Sequence, residues 1–205
     1  MSDTAVPHGG TFEDLPLFPL STVLFPDGLL PLRIFEQRYM DMAKDCLKRE
    51  QPFGVCLIRN GREVGVPADP EGVGCLARII DWDMQQLGLL QVKVRGGQRF
   101  RILQSNVTAA GLTRARVELL PDGTDAPLPA AFAACARLLR AVLEEHGEGI
   151  VTAPLQFDSS AWVGARLCEI LPVPLAAKQR LLELDDGLQR IEILHKFLVQ
   201  HRLAG

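Results

Sequence analysis

Near residue 125 the apolar residues of this chain change their period, and that change excludes a single repeating architecture. Upstream, short apolar runs alternate with Gly, Asn and Asp turns, which is the pattern of strands. Strands are expected over 53–59, 73–81, 89–95, 98–104 and 112–119. Asn60-Gly61 suits a tight hairpin, and Gly96-Gly97 suits a second turn. In the last run Ala115, Val117 and Leu119 alternate with Arg114, Arg116 and Glu118, so one face is buried and the other wet. Downstream the period is helical. Phe132, Cys135, Ala136, Leu139, Val142 and Leu143 make one stripe opposed by Arg137, Arg140, Glu144 and Glu145.

Punctuation divides both halves further. Tyr39, Ala43, Cys46 and Leu47 recur at helical spacing over 36–49, ahead of Pro52, so one helix interrupts the β region. Pro16, Pro19, Pro26 and Pro31 cannot donate to a ladder, so 15–32 is expected to form edge strands or extended linkers. Gly147 and Gly149 end the first helix of the second half. Asp158, Ser159 or Ser160 can cap the next, which is apolar nearly all round and so central. Pro172 and Pro174 precede a helix over 175–184, and Asp185 or Asp186 can cap the last, with Leu188, Ile191, Leu194 and Leu198 inward. Four helices with short connections make a bundle. The resulting division is a disordered leader over 1–13, a β subdomain over 14–123 and a helical subdomain over 127–205.

Composition narrows the function. With 22 Lys+Arg against 25 Asp+Glu in 205 residues, the net charge of −3 gives no global case for nucleic acid. No run approaches 18 apolar residues, so no membrane partner is expected, and the N-terminus lacks a signal peptide's basic and apolar regions. Cys46, Cys56, Cys75, Cys135 and Cys168 are widely spread with no C-x-x-C pair, which suits free buried thiols in a reducing cytoplasm and no metal. There is no P-loop, no G-x-G-x-x-G, no nucleophile elbow and no H-E-x-x-H helix. His195 sits on a mostly apolar helix face, and His201 is six residues on, on a different face, so the two do not suit a chelate. No catalytic residue and no cofactor are expected.

The most distinctive stretch is Leu15-Pro16-Leu17-Phe18-Pro19-Leu20, then Val23-Leu24-Phe25-Pro26, then Leu30-Pro31-Leu32-Arg33-Ile34-Phe35-Glu36-Gln37-Arg38-Tyr39. It closely resembles the opening of the Lon N-terminal domain, the substrate-recognition region of the ATP-dependent protease La. Weaker matches follow at Phe53-Gly54-Val55, Glu63-Val64-Gly65, Val73-Gly74-Cys75, Arg99-Phe100-Arg101, Trp162 and Lys178-Gln179. The resemblance implies an α+β fold: a β-rich PUA-like pseudobarrel with one inserted helix, followed by a C-terminal four-helix bundle. It also implies a polypeptide-recognition module standing alone, without the ATPase and Ser–Lys protease modules. Its partners would be unfolded or exposed apolar polypeptide segments, with a separate ATPase or protease as a further partner.

Where the family often carries a Pro-Asp-Gly-Arg type turn, this chain has Asp81-Trp82-Asp83-Met84, an apolar tip suited to flexible contact. The expected contact surface is therefore Phe25, Pro26, Pro31, Leu32 and Phe35 with Trp82 and Met84. Core packing is the competing reading for the phenylalanines. The alternative function is an RNA-binding PUA-like module, with Arg95, Arg99, Arg101, Arg114 and Arg116 along one sheet face. A single tyrosine, Tyr39, offers little aromatic stacking for it.

Overall fold

The computed structural model describes residues 10–86, 88–147 and 151–201, with the Gln85 side chain left aside. Contacts divide the chain into two compact units, 1–26 with 30–121 and 27–29 with 122–205. The chain is mixed, with a β-rich sheet and several helices.

The first unit holds β1 (Thr11–Leu20), β2 (Leu29–Ile34), α1 (Gln37–Arg49), β3 (Phe53–Asn60), β4 (Asp69–Pro70), β5 (Val73–Gln86), β6 (Leu89–Val107) and β7 (Thr113–Leu119). β1 pairs antiparallel with β7 from Thr11 to Pro16, then parallel with β3 from Leu17 to Leu20. The pairing path β1-β7-β6-β5-β3 thus returns to β1, with β4 added to β3 and β2 added to β6. Alternation along β1 feeds two cores. Leu15 and Leu17 join Phe100 and Val117, whereas Phe18 and Leu20 join Ile34, Tyr39, Phe53 and Val94. Helix α1 closes the second of these with Tyr39, Met40, Met42, Ala43 and Cys46. The Phe18 and Tyr39 rings stack there at 4.1 Å.

Four local expectations need correction. Residues Thr11 to Glu13 belong to β1 rather than to a leader, while residues 1–9 lie outside the described residues. Pro16 and Pro19 lie in a strand inside the closed pairing path rather than at its end, although each sits where β1 has a partner on one side only. Each half of β1 pairs on one side, so each proline can direct its missing donor to the other. Gly96-Gly97 makes no turn, because β6 runs unbroken from Leu89 to Val107. Glycine is needed at 96 for a close approach: a Cβ there would stand 2.1 Å from the Phe25 carbonyl oxygen. Asn60-Gly61 does not form a tight hairpin either. Gly61 takes its positive φ of 110° at the start of the longer loop 61–68, which leads to β4. In β7 the expected alternation is present, with Ala115, Val117 and Leu119 buried.

The second unit holds a 3₁₀ turn (Ala130–Phe132), α2 (Ala133–His146), α3 (Ser160–Ile170), α4 (Leu175–Glu183) and α5 (Gly187–Gln200). Its central helix is α3, buried from Trp162 to Cys168 and packed against α2, α4 and α5. Two caps start helices as the sequence suggests. Ser159 Oγ accepts from the Trp162 amide at 2.9 Å, and Asp186 Oδ1 accepts from Leu188 and Gln189. Arg190 then ties α5 to the end of α4, with Nε donating to the Leu181 carbonyl at 2.9 Å.

Candidate apolar docking surface

Strand β2 alternates inward and outward. Leu30, Leu32 and Ile34 pack on the core, so Pro31 and Arg33 point outward, and Phe35, just past the strand, continues that row. Phe35 is 56% exposed. Depressions lie on both sides of this row. One, of about 420 Å³, lies between Leu32, Phe35, Glu63 and Val64. The other, of about 460 Å³, lies between Pro31, Arg33, Trp82 and Lys93.

Sheet order builds the second depression. The N-terminal half of β6 pairs with β5, setting Trp82 opposite Val92 and Asp81 opposite Lys93. Because β2 also pairs with β6, its residues come near the exposed end of β5. Ile80, Trp82 and Met84 project from that end, with Trp82 57% exposed. The Trp82 amide donates to Asp81 Oδ1 at 2.9 Å. The wall of the first depression is tied down by Glu36, which accepts from the Gly65 amide at 3.3 Å and from Arg38 at 3.1 Å. Glu63 accepts from the Ser21 amide. The loop 61–68 therefore stands beside β2 with Val64 and Val66 exposed.

The expected contact residues are sorted by this geometry. Pro31, Leu32 and Trp82 line one depression, and Phe35 lines the other with Pro31 and Leu32. Met84 is exposed on the same strand as Trp82. Phe25 must be removed: it is fully buried, and its carbonyl faces Gly96. Pro26 is half-buried beside it. Val64, Ile80 and Arg33 were not among the expected residues. The Glu63-Val64-Gly65 match to the family pointed at the first of them, and the outward phase of β2 could have found Arg33.

The arginine row expected for nucleic acid is largely occupied. Arg99 is buried and donates to the Pro121 carbonyl at 3.1 Å. Arg114 pairs with Asp14 at 2.6 Å, Arg101 lies 3.8 Å from Glu118, and Arg116 lies 3.8 Å from Glu13. A charged depression of about 490 Å³ adjoins this region, where Asp14, Asp41 and Asp45 meet Arg38, Arg49 and Arg114. Opposite charges alternate there, giving no basic patch.

Nucleophilic chemistry has little to work with. All five thiols are free and buried. Burial pushes Cys46 and Cys135 up to about 11 and Cys168 to about 12, and raises Cys56 as well. Cys135 Sγ lies 4.0 Å from His195 Nδ1, yet a desolvated thiol resists becoming the thiolate that attacks. Among the described residues no group of three His, Cys, Asp or Glu side chains is placed to hold a metal ion. Among them, too, no helix is long and apolar enough to cross a membrane.

Residues 14–200 match the family model of the ATP-dependent protease La (LON) substrate-binding domain. The chain is similar to the Lon protease of Anaeromyxobacter dehalogenans, at 28% identity over 197 residues covering 92% of this chain and 23% of that protein. It thus spans about a quarter of the length of that relative. A crystal structure of a Lon N-terminal domain protein from Xanthomonas campestris aligns with a TM-score of 0.74 at 36% identity, covering 90% of this chain and 98% of the other. The N-terminal domain of a Mycobacterium avium complex Lon protease aligns at 0.60 with 18% identity, covering 92% of this chain and all of the other, and so shares the fold.

Proposed function

Because the chain belongs to the family of the ATP-dependent protease La substrate-binding domain, we propose that it is a non-catalytic polypeptide-recognition module. In this reading it binds exposed apolar segments of client proteins along β2 and the neighbouring end of β5. The β unit is read as a PUA-like pseudobarrel and the helical unit as a four-helix bundle, serving recognition and support respectively. The working compartment is taken as the cytoplasm, with a separate ATPase or protease acting on the captured client.

One observation carries the proposal. Phe35 and Trp82 are each more than half exposed, and each lines one of the two depressions beside β2. Large aromatics held in water on a rigid sheet are the usual anchors of an interface. Covering what remains exposed of each would contribute roughly half of a full burial, about 1–1.5 kcal/mol. Against the entropy of ordering a flexible client, this supports affinities on the order of micromolar to millimolar.

The test is calorimetric titration of the chain with a permanently unfolded protein, and separately with RNA, at two salt concentrations. Binding of the unfolded protein should carry a negative heat-capacity change and depend little on salt. Trp82→Ala and Phe35→Ala, checked for folding, should each weaken it about tenfold or more. Salt-steep RNA binding with no binding of unfolded protein would overturn the proposal.

A further inference from the structure

The outward row of β2 is not uniformly apolar. Pro31, Arg33 and Phe35 occupy alternate positions, so their side chains stand on one face about 7 Å apart in the order apolar, cationic, apolar. Arg33 is exposed, borders both depressions, and has no ion-pair partner among the described residues.

The neighbouring charges leave Arg33 as the group facing an incoming chain. Glu36 is held by Arg38 and the Gly65 amide, and Glu63 by the Ser21 amide. Asp81 stands opposite Lys93 one strand further in and accepts from the Trp82 amide. Asp83 lies beyond it on β5. Among the described strands β2 pairs with β6 alone, which leaves its other edge for an added strand. Side chains directly across such a pair interact, and like charges there repel.

We infer that the preferred client is an extended segment in which an acidic side chain stands between two bulky apolar ones at alternate positions. The acid stands across the added pair from Arg33, while the apolar residues stand across from Pro31 and Phe35, beside the depression that Phe35 shares with Glu63 and Val64. This rests on the polypeptide-recognition reading above and adds a charge preference to it. A basic residue at the central position sets like charges across the pair and is disfavoured. A polar neutral one falls between.

The experiment uses the full chain and three labelled peptides with flexible polar flanks around Phe-Thr-Glu-Thr-Phe, Phe-Thr-Gln-Thr-Phe and Phe-Thr-Lys-Thr-Phe. Fluorescence anisotropy at low salt should rank them Glu, Gln, Lys, with steps of about two- to fivefold, as expected for an exposed ion pair. The spread should narrow as salt rises. Arg33→Glu should invert the order, and Arg33→Gln, a milder change that keeps a polar side chain, should level it. Equal binding of all three peptides, or the same order in Arg33→Glu, would overturn the charge preference while leaving apolar recognition intact. Binding of none of them would overturn both.

Discussion

A methyl group at position 96 would meet the Phe25 carbonyl oxygen at 2.1 Å, a separation no carbon tolerates. The oxygen is a backbone atom and the methyl carbon is fixed in place by the backbone, so no side chain can swing away. Gly96→Ala is expected to destabilise the chain by about 2 kcal/mol or more. Gly72→Ala, where nothing lies within 4 Å, is the matched control and should stay within about 0.5 kcal/mol. Urea denaturation of the two variants checks this, and equal midpoints would contradict the close approach. The thiols give a residue-scale pH dependence. Cys46 and Cys135 are raised by burial from near 9 to about 11, so the folded state holds their protons where the unfolded state has released them. The sign follows: their stabilising contribution is complete below pH 9 and is lost as pH climbs through 11. Denaturation midpoints should fall over that window, and a Cys46→Ser, Cys135→Ser variant should show a shallower fall.

Elements differ in how far local sequence specifies them. The helices of the second unit are set by short-range signals: an apolar stripe, a capping residue and a proline or glycine stop. Ser159 and Asp186 cap as expected because the acceptor and its amides lie within three residues of each other. Ser159→Ala and Asp186→Ala should each cost about 1 kcal/mol, read as a lowered thermal midpoint. No change in either would contradict the cap geometry. Strands obey longer-range demands. The turn expected at Gly96-Gly97 is absent because Gly96 answers to Phe25, some seventy positions away in the chain. Pro16 and Pro19 suggest an edge, yet β1 takes two partners by exchanging β7 for β3 between Pro16 and Leu17. That exchange is a property of the sheet's path, which no window of sequence contains.

At the scale of the whole molecule, the same distinction separates Phe25 from Phe35. Both are aromatic and lie within one proline-rich segment, and only the phase of the surrounding backbone decides which is buried. Family resemblance pointed to the segment, and the inward register of Ile34 then turns Phe35 outward. Trp82 was legible as an apolar departure from the family's polar turn, although it lies within β5, opposite Val92, and not at a turn tip. Its nearness to Pro31 and Arg33 was not, since it depends on β2 and β5 both lying beside β6. The central claim is that clients are captured on this face of the β unit. Hydrogen exchange of the chain, alone and saturated with a permanently unfolded protein, tests it most directly. Amides of 32–35 and 80–84 should become protected on binding, with the helices α2 to α5 unchanged. Protection confined to those helices, or to the charged depression around Asp14 and Arg114, with 32–35 and 80–84 unaffected, would contradict it.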